Sequence, residues 1–241
     1  MAEFNFPTEV IDLPSKGLVY PKDNPLSSGK VEIKYMTAKE EDILTNQSYI
    51  QKGNVLDKLL ESVLVSKINI NDLIIGDKNA LLIATRILGY GSDYAVEVKG
   101  EKENIDLSEL ENREFDGSTL IEGANEFAFD LPHSKTPITY KILTGADEKK
   151  VERELAGLKK INKNSSPELS TRLKYIITSV NGSDDTKDIR NFVDNFLLAR
   201  DSRALREHIR ETQPDVDLNV VLGSGEEVKV PIGLNFFWPD A

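Results

Sequence analysis

Two periods of apolar and polar residues run along the chain, and the switches between them outline its elements. Val31, Ile33 and Tyr35 alternate with Glu32 and Lys34, as in a strand with one buried face. Ahead of them, Pro14 and Gly17 in LPSKGLVYP mark a turn, so residues 1–36 read as an N-terminal arm with strands. Thr37 and Glu40 fit a capping box, in which each side chain serves the other's free backbone donor, and predict a short helix ending near Asn46. Gly53-Asn54 breaks the chain. Val55, Leu56, Leu59, Leu60, Val63 and Leu64 then form the i, i+4 stripe of a buried helix. Ile68 to Ile75 reads as a short strand or an extended link. A third helix is expected from about Lys78 to Leu88, capped by Asp77 and stopped by Gly89, with Leu81, Ala84, Thr85 and Leu88 inward. Residues 37–93 thus read as a helical subdomain.

Strand-like alternation returns at Tyr94 to Val98, followed by an acidic insert from Glu101 to Gly123 that carries the turn signal Asp116-Gly117. Phe127 and Phe129 alternate next, then Ile138, Tyr140 and Ile142, with Pro132 and Pro137 bracketing their connection. Residues 94–144 are therefore predicted to form a small antiparallel sheet with one face covered. Asp147 to Lys160 is a charged helix with Val151, Leu155 and Leu158 inward. Ser166-Pro167 opens another, its core face at Leu169, Leu173, Ile176, Ile177 and Val180, ended by Asn181-Gly182. Beyond Pro214, Val216, Leu218, Val220 and Leu222 alternate, and Gly223-Ser224-Gly225 turns them into Val228 and Val230 as a hairpin. Residues 145–241 read as a helical region followed by that hairpin and an aromatic tail. No repeat of 20–50 residues and no long linker interrupts the chain, which reads as one unit. The expected class is α+β: helical bundle-like segments packed with short antiparallel sheets and hairpins.

The segment from Phe192 to Glu211 differs from its surroundings. Between Asp185 and Glu211 lie six acids and six bases, a neutral stretch in a chain of net charge −11. Ile189, Phe192, Val193, Phe196 and Leu197 give it one apolar helical face. Past that face come Arg200, Asp201, Ser202, Arg203, Arg206 and Arg210. Asp201 is expected to cap a second helix near Ser202, giving a kinked or broken pair. Arg203–Glu207 and Arg190–Asp194 stand at i,i+4, where opposite charges stabilise a helix by roughly 0.2–0.5 kcal/mol each. Either this is a solvated face that pairs with itself, or it is a contact surface for another protein, for which the planar, bidentate Arg is suited. The closing Phe236-Phe237-Trp238-Pro239 poses the same choice between burial in its own core and an anchor in a partner.

Composition narrows the chemistry. With 39% hydrophobic and 29% charged residues the chain falls in the globular range, and no run reaches membrane-span length. The N-terminus lacks a basic region followed by an apolar core, so no membrane partner is expected. A pI near 4.8 argues against non-specific nucleic-acid binding, which needs a basic face. Zero cysteines exclude disulfides and thiolate metal sites. His133 and His208 are the only histidines and sit in no metal-binding spacing. No serine sits in G-x-S-x-G, and Gly223-Ser224-Gly225 and Gly89-Tyr90-Gly91 lack the Lys of a phosphate loop. Neither a catalytic residue, a metal nor a cofactor is expected, and an enzyme of an unrecognised class is the least favoured reading.

Five blocks in order, LPSKGLVYP, VEIKYMTAKEEDIL, TRLKYIITSVNGS, FVDNFLLARDSRALREHI and PIGLNFFWPD, resemble the baseplate hub and hub-assembly proteins of contractile-tailed bacteriophages. The resemblance runs from Leu13 to Asp240 and is collective, with no catalytic motif in it. It implies a structural or assembly role at the central hub of the tail baseplate, with other hub proteins as partners, in the cytoplasm of the infected host and in the virion tail baseplate. A transient assembly chaperone absent from the mature particle is the alternative it leaves. Some relatives carry a cysteine pair after the strand matching Tyr94 to Val98; here Lys99-Gly100-Glu101-Lys102 stands there, which implies a metal-free or rebuilt element. The partner-binding residues expected are Arg200, Asp201, Arg203, Arg206, Arg210, Phe236, Phe237 and Trp238.

Overall fold

A computed structural model describes residues 7–98, 101–115, 117, 120, 123–161 and 167–238. Asp116, Ser166 and Pro239, on which three of the sequence expectations rest, lie outside them, as do Lys99 and Gly100. In chain order the elements are β1 (Thr8–Asp12), β2 (Lys30–Lys34), α1 (Ala38–Leu44), α2 (Gln47–Gln51), α3 (Val55–Val63), α4 (Ile75–Tyr90), β3 (Asp93–Val98) and β4 (Glu101–Asp106). The second half runs β5 (Phe127–Asp130), β6 (Pro137–Tyr140), α5 (Gly145–Ile161), α6 (Glu168–Ile176), β7 (Ile177–Val180), α7 (Thr186–Asn195), α8 (Ala199–Thr212), β8 (Asn219–Val221) and β9 (Glu227–Lys229). Helices with small, wholly antiparallel sheets make this an α+β fold.

β1 pairs with β2, whose Val31 and Ile33 are fully buried while β1 stays largely exposed. The LPSKGLVYP loop between them is held from below by α4. Asp77 on that helix accepts the Ser15 N–H at 2.9 Å and the Ser15 hydroxyl at 2.6 Å, and the Tyr20 hydroxyl also donates to it. Tyr20 in turn accepts the Ile74 N–H at 3.1 Å, so a helix entry and a loop share one buried network. Asp77 is therefore not a cap: α4 begins at Ile75, and the carboxylate faces inward with no exposed surface. Gly89 does not stop the helix either. It lies inside α4 where a Cβ would meet Met36 Sδ at 2.7 Å, and the chain leaves the helix at Gly91 with φ +85. Ile68 to Ile75, read as a strand or link, instead holds a 3-10 turn (Ile70–Asp72) and the start of α4.

The expected single sheet over 94–144 is two. Among the described residues β3 pairs only with β4, which falls in the stretch read as an acidic insert. Its sequence EKENID has one aliphatic residue, Ile105, so no alternation announced it; backbone pairing with β3 makes the strand. β5 and β6 are joined by β7 in the order β5-β6-β7. The residues of β7 continue the helical spacing of α6 in sequence, yet they form a strand. The helix stops at Ile176 because the β-branched run Ile176-Ile177-Thr178 favours extended backbone, and Ile177 already sits at φ −74, ψ 128. Leu169 on α6, expected inward, is 47% exposed.

One core cluster draws side chains from Leu13 to Phe237. α4 lies within it, packed against α3, β1 and the 3-10 turns Leu107–Glu109 and Leu234–Phe237. The hairpin after Pro214 is present, with Leu218, Leu222 and Val230 buried, although its paired strands are shorter than the alternation extends.

Candidate functional site

α7 is laid against the body by charge as well as by apolar packing. Asp185 caps it by accepting the Lys187 N–H at 2.7 Å, and Ile189 and Val193 point inward. Arg190 does not pair with Asp194 on its own helix. It forms a two-pronged contact with Glu154 of α5, at 2.8 and 2.6 Å, over the Tyr175 ring, while Asp194 takes Lys174 of α6 at 2.7 Å. The Arg190 fork outweighs partial burial and holds the Glu154 carboxyl down to about 2.

The helix then breaks. Phe196 and Leu197 both donate their N–H to the Phe192 carbonyl, at 2.9 and 2.8 Å, and Leu198 is extended at φ −63, ψ 142 before α8 begins. The expected broken pair is thus present, but the apolar face does not carry through it. Phe196 is 62% and Leu198 50% exposed, so the elbow presents two large apolar side chains to solvent.

Asp201 is not the cap of α8. It stands in the first turn with no exposed surface and reaches sideways to the β5–β6 connection. Its two carboxylate oxygens accept the backbone N–H groups of His133 at 2.8 Å and Ser134 at 3.0 Å. Burial opposes its charge, yet these amide donors more than offset that and hold the carboxyl below its ordinary range. Farther along, His208 is no surface histidine: it stacks on Phe129 at 4.5 Å and meets the Tyr140 ring edge-on at 5.8 Å. Asp201, Ser202, Leu205 and His208 are therefore the inward face, and they fix which side of α8 looks out.

That outer side carries Arg200, Arg203, Arg206 and Arg210, all exposed. At 3.6 residues per turn the four fall within an arc of about 120°. Arg203 donates to Glu207 at 2.8 Å and Arg206 to the Ser202 carbonyl at 3.2 Å, each within the helix. Arg210 lies 4.0 Å from Glu211, and its carbonyl accepts from Arg113 at 3.1 Å. The structure thus gathers the four expected arginines on one face and places Phe196 and Leu198 at its N-terminal end. Periodicity put Phe196 inward, so the apolar half of this surface was not expected. The signal available was the Leu197-Leu198-Ala199 stretch between two charged helices.

The aromatic tail lies elsewhere. Phe236 and Phe237 are 1% and 0% exposed, packed edge-to-face at 5.5 Å, with Tyr94 tilted against Phe236 at 5.2 Å. Buried Arg86 donates to the Phe236 carbonyl at 3.1 Å and to the carbonyls of Gly91 and Asp93 at 2.7 and 3.1 Å, clamping the tail to the end of α4. These two phenylalanines and Asp201 hold the fold and are not presented to a partner. Trp238 is half-buried beside Tyr94 and Lys102 and, of the three described aromatics of the tail, is the one that reaches the surface.

Among the described residues no group of three or more His, Asp or Glu is placed to hold a metal ion, and no helix is long and apolar enough to cross a membrane. Comparison with protein-family models finds no matching family, and comparisons with curated proteins and with solved structures find no match.

Proposed function

We propose that this chain is a non-enzymatic structural or assembly protein of the central hub of a contractile phage tail baseplate, working in the infected host through protein–protein contacts. The observation that carries the reading is the outer face of α8: four arginines in one arc, flanked by the exposed Phe196 and Leu198, on a protein of net charge −11. Apolar side chains next to guanidinium groups are the usual make-up of energetically important interface residues. The acidic surroundings make this face electrostatically distinct, so it favours an acidic partner surface and disfavours a basic one. The five sequence blocks supply the hub context.

The test is capture from infected cells with the tagged protein as bait, beside an Arg203→Glu/Arg206→Glu variant. Hub proteins recovered by the natural chain and lost by the variant, with unchanged circular dichroism, are the expected result. Equal recovery by the variant overturns the assignment of the surface. Recovery of no tail protein by the natural chain overturns the baseplate reading.

A further inference from the structure

We infer that the groove between β4 and β8 accepts an extended, Lys- or Arg-bearing strand of a partner protein, which pairs with the two open strand edges on either side. β3–β4 and β8–β9 are both two-stranded, so among the described residues one edge of β4 and one edge of β8 have no ladder partner. A cavity of about 410 Å³ lies between those edges, lined by Asn104, Ile105 and Asp106 on one wall and residues 219–223 on the other. Consecutive residues of each strand line it, and none from β3 or β9 does. A cavity over a sheet face would meet alternate residues and both strands, so this one lies against the edges.

The ladders show which backbone groups look into it. Leu222 donates to the Glu226 carbonyl and Val230 to the Leu218 carbonyl, both at 2.8 Å, so residues 218, 220 and 222 bond toward β9. By the alternation of an antiparallel pair, the backbone of Asn219 and Val221 turns outward to the groove. Asp217 already takes the Asn219 N–H at 3.1 Å, and Val221, 69% exposed, is left as the open position. Across the groove, Leu107 donates to the Ser92 carbonyl at 2.9 Å, which by the same rule turns the backbone of Asn104 and Asp106 toward it. The walls meet at one end, where Asn112 bridges Val216 and the Asp217 N–H reaches the Glu111 carbonyl at 2.8 Å. The 3-10 turn Leu107–Glu109 separates that bridge from β4, so a ladder closed at one end opens into a slot.

Charge selects the occupant. Asp106, Glu109, Glu111 and Asp217 line the slot, and among the described residues no Lys or Arg does. Asp217 has Arg113 at 3.5 Å, whereas Glu109 and Glu111 have no ion pair among the described residues. Carboxylates beside an open edge guard against pairing with another acidic edge, including that of a second copy. A strand flanked by lysines or arginines gains main-chain hydrogen bonds and neutralises the same carboxylates. The site abuts the arginine face of α8 at Arg113, which donates to the Arg210 carbonyl and lies 3.5 Å from Asp217, and it has the opposite charge preference.

The experiment titrates the full chain into three fluorescein-labelled peptides, read by anisotropy. The first is KVKTKVKTK, which can extend as a strand; the second is KGKPKGKPK, of equal charge but with two donors of one edge removed by proline and the extended strand disfavoured by glycine; the third is the acidic EVETEVETE. Binding of the first alone is expected, weakened by about tenfold or more in Glu109→Lys/Glu111→Lys and in Val221→Pro, which removes an outward N–H and none of the β8–β9 ladder. Methylating alternate amides of the first peptide removes its donors without touching the protein, and the same loss is expected. Equal binding of the first two peptides overturns strand pairing in favour of charge alone. Binding of none, or of the acidic peptide, overturns the site.

Discussion

The Asp201 carboxylate accepts the backbone N–H of His133 at 2.8 Å, across 67 intervening positions of chain, and so sets how α8 lies on the β5–β6 connection. The same side chain takes the neighbouring Ser134 N–H. Asp201→Ala removes the charged acceptor of two amides in the exposed β5–β6 connection, and a hydrogen bond to a charged group contributes about 1.5–3 kcal/mol. Urea denaturation should show a loss of about 2–4 kcal/mol with an unchanged m-value. A loss under about 0.5 kcal/mol would mean that water replaces the carboxylate and that α8 is not pinned there.

Glu40 supplies a pH signature. Burial disfavours its charge, but the hydroxyls of Ser62 and Thr37 and the ammonium of Lys34 hold the carboxyl down to about 2. The unfolded chain therefore takes up this proton first as pH falls. Its contribution is complete above the ordinary glutamate value and is lost between about pH 5 and pH 2, on the order of 3 kcal/mol. Glu40→Gln should be less stable at pH 7 and show a shallower acid limb in that window. Parallel limbs for the two proteins would remove Glu40 from the account.

His208 acts in a different window. Burial between Phe129 and Tyr140 lowers its pKa, with Glu211 raising it in part. An unfolded histidine protonates near 6.5, so stability present above about pH 7 is lost as pH falls through that value toward the lower folded one. His208→Phe keeps a ring against Phe129 and removes the titration. Chemical denaturation at pH 7.5 and 5.5 should give a smaller difference for this variant than for the natural chain, and an equal difference would assign the effect to another group.

Local chemistry was legible where one residue decides one element. Val31 and Ile33 marked β2, Thr37 with Glu40 marked α1, and the Gly-rich turn marked the last hairpin. Errors arose where a distant partner outweighed the local signal. Asp77 and Asp201 both look like helix caps, but each spends its acceptors on amides or hydroxyls far away in sequence, which no local rule contains. Gly89 looks like a stop, yet it is there because Met36 comes close. β4 carries one aliphatic side chain, so its pairing with β3 was invisible to periodicity. The arginine face was legible because charges at i, i+3 and i+7 must share a side of any helix. Its apolar end was not, because the same spacing that fits Ile189 and Val193 also fits Phe196, and only the chain break at Leu197-Leu198 turns Phe196 outward.

Phe196 and Leu198 are the sharpest handle on the proposed contact surface. Being 62% and 50% exposed, they lose little packing when shortened, so Phe196→Ser and Leu198→Ser should each change stability by no more than about 0.5 kcal/mol. Apolar residues at the centre of a contact can each contribute about 2 kcal/mol or more to binding, roughly thirtyfold in affinity. The variants should therefore melt with the natural chain while capturing the proposed hub partners from infected cells much less well. Raising salt separates the two halves of the surface: it weakens the arginine contribution and leaves the apolar one. Capture by Arg203→Glu/Arg206→Glu should thus fall most at low salt, whereas the deficit of Phe196→Ser should persist from low to high salt. Capture by Phe196→Ser at natural levels in both conditions would confine any contact to the arginines.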